Sequence, residues 1–281
     1  MQAYDATKAL LNRNPQSADR VFEHAQSAYW VGYLLWIAKK YEKARPYFDQ
    51  YIKNAETLNK LEPDSLRGLQ EIAYAYTNLG VLLSSQNQTA EAHKIYLNAL
   101  PAYLKISSKY PNEIQHVKAL ANAYAWLADS SVASKDYKNA IRYRLLQDKV
   151  YQDFPLSLDQ DFMVKGLRLD ALVGLARTEF LSGNIDLAKQ YTEKGKLESF
   201  ILWQKDKDNI EWLQNYALFC LLNAEIAIEH SNYSLMQSLI AEYDELKNEA
   251  HRNSDKNGFF QEHFNRKQNL LTRAKIYQFN Q

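Results

Sequence analysis

Residues 73–106 read AYAYTNLGVLLSSQNQTAEAHKIYLNALPAYLKI. Ala73, Tyr76, Leu79, Gly80 and Leu83 recur every three or four residues, the polar break Ser84 to Gln88 follows, and Ala92, Ile95, Ala99, Tyr103 and Ile106 resume the stripe. That spacing is the period of an α-helix, so each half presents one apolar side. Two such halves across a short polar break make an antiparallel helical hairpin. The next segment repeats the pattern with Ala121, Tyr124, Leu127 and Ala128, then Tyr137, Ala140, Tyr143, Leu146 and Val150.

Working outward, Gly32, Gly80, Ala128, Ala176 and Ala224 stand 48 positions apart, and each is followed twelve residues later by Ala44, Ala92, Ala140, Ala188 or Met236. Self-similarity at a fixed period is the signature of a solenoid, in which each unit buries its apolar face only against its neighbours. Small residues at these places let the paired helices approach closely where they cross. Met236 breaks the series, and looser packing is expected there. Pro15, Pro63 and Pro111 are also 48 apart, with Pro155 four short of the next slot. Proline disfavours α geometry in the residue before it and is tolerated in a first turn, so each is expected to end one helix and start the next, with Asp64 and Ser65 available as caps.

The expected fold is all-α: a right-handed α-solenoid of about 12 helices in one domain over 1–281. The helices are placed near 3–12, 17–38, 41–60, 65–85, 88–109, 113–134, 137–153, 157–182, 184–203, 208–230, 232–250 and 259–278. They group as a half unit 1–14, units of about 15–62, 63–110, 111–156, 157–206 and 207–254, and a C-terminal capping helix 258–279. In that last helix Phe264, Leu271 and Ile276 supply one apolar side, with Arg266, Lys267, Arg273 and Lys275 left for solvent. The opening half hairpin, with Ala6, Leu10 and Leu11 on its edge, carries two expectations: that the chain is cut from a longer protein, and that this edge self-associates.

Composition narrows the partners. Lys plus Arg number 34 against 33 Asp plus Glu, a near-neutral field that points to neither nucleic acid nor an anionic membrane. The longest apolar stretch, Tyr29 to Ala38, falls far below the roughly 18 residues of a membrane helix, so the chain reads as soluble and without membrane insertion. Cys220, the only cysteine, sits among Phe219, Leu221 and Leu222 and reads as a buried, inert thiol. Its solitude leaves the compartment open between cytoplasm, the first choice, and periplasm behind an upstream membrane segment. The six histidines lack metal-site spacing, the eight glycines form no phosphate-binding loop, and no nucleophile motif is present. No catalytic residue, metal or cofactor is therefore assigned.

The twelve-residue gap between small residue and Ala, with Leu79 before Gly80, Tyr76 upstream and Tyr96 four past Ala92, resembles the tetratricopeptide repeat. The same frame reads Val31, Gly32, Leu35, Ala44 and Phe48 in the first unit. The family's usual repeat is 34 residues, whereas 48 leaves about seven more for each helix. The segment Phe22 to Gly32, followed by Leu61-Glu62-Pro63-Asp64, also looks like the long-period tetratricopeptide regions of large bacterial signalling proteins. There the array follows a kinase, winged-helix or receptor-type domain.

The resemblance implies a concave surface lined by the first helices. Counting three before, one after and four after each small residue assigns to it Tyr29, Tyr33, Trp36; Thr77, Val81, Ser84; Ala125, Asp129, Val132; Val173, Arg177, Phe180; and Leu221, Glu225, Ile228, bordered by Trp30 and Trp126. An aromatic first unit and an Arg177–Glu225 pair suit a protein or peptide with apolar anchors; packing of these aromatics as interhelix core is the competing reading. The expected function is a non-catalytic interaction scaffold, the C-terminal regulatory or sensory region of a larger bacterial signalling protein. The alternative is a domain that senses a peptide or small ligand in the groove and changes superhelix shape.

Overall fold

The computed structural model describes residues 2–155, 161–252 and 263–279. Among the described residues are twelve helices and no strand: α1 (Gln2–Arg13), α2 (Ala18–Ile37), α3 (Tyr41–Leu61), α4 (Leu66–Ser85), α5 (Thr89–Lys109), α6 (Ile114–Ala133), α7 (Tyr137–Gln152), α8 (Asp161–Ser182), α9 (Ile185–Lys205), α10 (Ile210–Glu229), α11 (Tyr233–Arg252) and α12 (Phe264–Phe279). The helix starts expected at 157 and 259 lie outside the described residues. The chain forms two compact units, residues 1–154 and 155–281. In the first, α2 packs on α3, α4 on α5 and α6 on α7, with α1 against α2; in the second, α8 packs on α9, α10 on α11, and α12 rests on α10. Each unit is an all-α set of helix hairpins of tetratricopeptide type.

Each hairpin turns on one left-handed residue. Lys39, Asn87, Lys135, Gly183 and Ser231 have φ between 56° and 89° and occur at equal intervals, two residues past the end of α2, α4 and α6 and one or two past α8 and α10. The next amide reaches back to the last turn, from Lys40 to the Leu35 carbonyl at 2.8 Å and from Gln88 to that of Leu83 at 2.9 Å. The same bond runs from Asp136 to Ser131 at 2.9 Å and from Asn232 to Ala227 at 2.8 Å. This is the Schellman arrangement, which satisfies carbonyls the helix leaves orphaned. Only one of the five positions is glycine, so the motif was invisible to a search for glycine punctuation.

Gly32 and Gly80 sit at hairpin crossings, and Ala128, Ala176 and Ala224 are fully buried. A Cβ on Gly32 would lie 3.1 Å from the Phe48 ring, and one on Gly80 only 2.4 Å from that of Tyr96. Both aromatics come sixteen residues after their glycine. Where the small residue is Ala128, Ala176 or Ala224, the residue sixteen on is Arg144, Thr192 or Ile240, none of them a flat ring. The cleared Cβ and the inserted ring therefore go together. Met236 is as fully enclosed as Ala188, so the looser packing expected there is not seen: the flexible thioether fills the space.

Two other expectations are corrected. Pro15, Pro63 and Pro111 stand two residues before the N-caps Ser17, Ser65 and Glu113, in the connecting turns rather than in first helical turns. Ser65 Oγ accepts the Gly68 amide at 2.9 Å, while Asp64, at φ +63°, is turned away from capping and pairs with Lys105. Three basic residues of α12 are paired with acids. Arg266 holds Glu225 through two bonds of 2.5 Å, Lys267 bonds Asp244 at 2.5 and 2.6 Å, and Arg273 pairs with Glu229. The acids spaced four apart on α10 draw the cations of α12 onto one side, beside buried Leu270. The side chains of Phe264, Lys275 and Ile276 lie outside the described residues.

Two substitutions test this packing. Gly80→Leu drives a branched side chain into the enclosed Tyr96 ring and should cost at least about 2 kcal/mol in a denaturant melt, more than the roughly 1 kcal/mol gained in helix propensity. Lys135→Gly removes the penalty of a side chain in left-handed geometry and should raise stability by about 1 kcal/mol. An unchanged melting temperature for Lys135→Gly would contradict the left-handed turn.

Candidate binding surface

In the first unit the first-helix side of α2 carries a ladder of rings. Tyr29 stacks on Tyr33 with centroids 5.7 Å apart, Trp30 meets the Tyr33 ring edge-on at 5.8 Å, and Tyr33 leans on Trp36 at 5.8 Å. Trp30 is 54% exposed, and Leu34 and Ile37 beside it are 62% and 55% exposed. Because each residue turns a helix by 100°, Gly32 facing α3 leaves Trp30, Leu34 and Ile37 on the far side. Tyr29 and Trp36 lean instead toward α3 and α4: Tyr29 packs on buried Tyr51, and Trp36 Nε1 donates to Ser85 Oγ at 3.0 Å.

That bond leads into a cleft of about 490 Å³ between α4, α5 and α6. Its floor is Trp126 stacked on Tyr96, centroids 5.9 Å apart and nearly parallel at 14°. Around it stand Ser84, whose hydroxyl meets the Tyr96 hydroxyl at 3.1 Å, Ser85, Thr89 and Asp129. The Asp129 carboxylate, two-thirds exposed, is paired with buried Arg144. An apolar floor with hydroxyl and carboxylate acceptors at its rim is suited to a side chain plus the amides of its own backbone.

A buried carboxylate supports the ladder from beneath. Glu71 of α4 accepts from Gln26 of α2 at 2.8 Å and from the Tyr51 hydroxyl of α3. Burial pushes its pKa up; the two hydrogen bonds and nearby Arg67 only partly oppose this. Cys220 in the second unit is likewise fully buried, its thiol held protonated by burial and by the Glu242 carboxylate.

The expected site residues therefore divide. Tyr29, Tyr33, Trp36, Trp126 and Asp129 share one unit and form the ladder and the cleft. In the second unit Arg177 is exposed and Phe180 half-buried on α8. Glu225 does not pair with Arg177, because Arg266 occupies both its oxygens. Thr77, Leu221 and Ile228, counted to the groove, are buried. The offsets of three before and four after point between the first helix and its neighbours; two before, two after and five after reach solvent on α2. Leu34 and Ile37 were missed although the apolar run Tyr29 to Ala38 contains them, since that run was weighed only against membrane length.

Two solved structures share this fold. BtubC (BKLC) from P. vanneervenii superposes with a TM-score of 0.66 at 12% identity over 91% of each chain. The apo form of RapI superposes with a TM-score of 0.64 at 12% identity, covering 98% of this chain and 68% of that one. No protein-family model and no curated protein sequence matches the chain. Identities this low speak to the fold alone, a tetratricopeptide-like helical repeat. Among the described residues no helix is long and apolar enough to cross a membrane.

Glu71 gives the first unit a pH signature. A carboxyl whose pKa is raised by folding favours the folded state while protonated, and that advantage is lost as pH rises from the ordinary carboxylate range, near 4.3, through the raised value. Glu71→Gln cannot ionise, so its stability relative to the parent should climb over that interval in urea melts. A pH-independent difference would place Glu71 in water.

Proposed function

We propose that this chain is a non-catalytic interaction scaffold that binds an extended or helical peptide along the first-helix side of its first unit. The observation that carries the reading is the half-buried ring ladder of α2, with Trp30 exposed on it, joined through Trp36 and Ser85 to the Trp126–Asp129 cleft. Aromatic side chains bring large contact area at low entropic cost and dominate interfaces when they cluster, and a monomer seldom exposes Trp, Leu and Ile side by side without use. Asp129 adds an acceptor for an amide or cation of the peptide. Arg177 and Phe180 extend the reading to the second unit as a separate contact.

The resemblance of Phe22 to Gly32 and Leu61 to Asp64 to signalling-protein arrays supports a regulatory place within a larger bacterial signalling protein, in the cytoplasm. The cleft volume of about 490 Å³ favours one second reading, that a short peptide or small ligand is itself the signal sensed there.

Selection from a displayed random-peptide library against the whole chain tests the proposal. Trp30→Ala should weaken the selected binders by about 2 kcal/mol or more, and Asp129→Ala should weaken them too, with helical circular dichroism unchanged, whereas Leu197→Glu on exposed α9 should leave binding intact. Binders indifferent to Trp30 and Asp129 would overturn it.

A further inference from the structure

Two positions of α8 depart from the pattern of the other first helices. Where α2, α4, α6 and α10 bury Val21, Leu69, Val117 and Leu213, α8 carries an exposed lysine, Lys165. Arg168 stands half-buried where those helices have His24, Ile72, Leu120 and Tyr216. A slip in helical phase does not explain this, because Leu169, Ala171, Leu172, Leu175 and Ala176 are buried like their counterparts Ala121, Ala123, Tyr124, Leu127 and Ala128. On α9, which packs against α8, the exchange runs the other way: Ile201 is 47% exposed at a place that is Thr57, Lys105, Asp153 or Glu249 elsewhere in the array. Between the two helices lies a cleft of about 370 Å³, its apolar part made by Phe162, Ile201 and buried Leu202, its charged part by Lys165, Arg168 and Lys205. Lys205 Nζ lies 3.7 Å from the centre of the Phe162 ring and Lys165 Nζ 5.7 Å from it, so two ammonium groups are gathered at one ring. Glu198, the one acid among the described residues of the lining, is directed elsewhere: Oε1 faces Lys194 of its own helix at 4.0 Å, and Oε2 is buried without a hydrogen-bond partner.

We propose that this cleft binds a small molecule that carries a phosphate monoester on an apolar body. Cations brought together around one cleft repel each other, and an anion placed among them turns that repulsion into attraction. Lys165 and Arg168 also have interactions within the chain, so what selects an anion is the sign of the lining rather than a vacancy at either residue. A phosphate monoester bears close to two negative charges near neutral pH and three strong acceptor oxygens, which suits three cations better than a singly charged carboxylate does. The guanidinium of Arg168 can meet two of those oxygens as a fork, and the lysines act as point charges. Lys205 covers one face of Phe162, which leaves Ile201 and Leu202 to take the apolar body. The volume lies near the lower end of the roughly 300–1,000 Å³ usual for small-molecule sites, so the body is compact. All of these residues belong to the second unit and none to the ring ladder or the Trp126 cleft, so the site is independent of the peptide surface proposed above.

The probe is phenyl phosphate, titrated into the full chain by calorimetry beside inorganic phosphate, which lacks the apolar body, and phenyl sulfate, which has the same shape with a single charge. Phenyl phosphate should bind saturably, about tenfold more tightly than inorganic phosphate from the burial of half a ring and about fivefold more tightly than phenyl sulfate from the second charge. Arg168→Gln should weaken it about tenfold or more, the scale of a lost charge-assisted hydrogen bond. Lys189→Gln, which removes an exposed cation of α9 outside the cleft, should leave it unchanged. Ile201→Ser should narrow the gap between phenyl phosphate and inorganic phosphate while sparing the latter, a result that loss of folding cannot mimic. Binding that fails to saturate, equal affinity for phenyl phosphate and inorganic phosphate, or equal losses from Arg168→Gln and Lys189→Gln overturns the proposal. So does tighter binding of the tripeptide glycine–phosphotyrosine–glycine than of phenyl phosphate, which would make a phosphorylated protein the ligand.

Discussion

Everything in this molecule depends on how closely the two helices of a hairpin approach. At Gly80 the missing Cβ leaves room for the Tyr96 ring to lie against the helix, and the ring's hydroxyl then reaches back to Ser84. The ring's other side stacks on Trp126 of the next hairpin, so a single absent methyl sets both the crossing within a hairpin and the floor of a cleft between hairpins. At Gly32 the same device seats Phe48. Rings this large have no alternative position in an interior packed to crystal-like density.

The left-handed turn residues complete the constraint. A helix leaving at a fixed distance still needs a fixed direction, and the Schellman bonds after Leu35, Leu83, Ser131 and Ala227 supply one. Lysine at two of the five positions shows that the tertiary contacts outweigh roughly 1 kcal/mol of backbone preference at each. The same economy of charge operates at α12, where Glu225 and Glu229 recruit arginines that would otherwise be solvated.

Function on such a scaffold lies in what the stacking leaves uncovered. Trp30, Leu34 and Ile37 are exposed because no described residue of the first unit lies across that side of α2, whereas the equivalent Leu82 is enclosed. The aromatic ladder is shared between the two candidate roles: Tyr29 and Trp36 serve the interior through Tyr51 and Ser85, and Trp30 serves the surface. Core and groove are thus successive sides of one helix.

The sequence by itself determined the helices and their pairing, because a period of three to four residues around a polar break is a local property that no distant contact has to ratify. It also marked the crossings at Gly32 and Gly80, where a Cβ would meet the ring of Phe48 or Tyr96. What it left open was direction. Counting from Gly32 named Tyr29, Tyr33 and Trp36, but a shift of one residue turns a side chain by 100°, and only the stacked neighbours decided that Trp30, Leu34 and Ile37 face out. Charge pairing was equally illegible: Glu225 had Arg177 and Arg266 both available in sequence, and the tertiary structure chose Arg266 because α12 lies on α10 with its guanidinium within 2.5 Å. Local periodicity is encoded residue by residue, whereas exposure and partnership belong to surfaces that exist only once the hairpins are stacked.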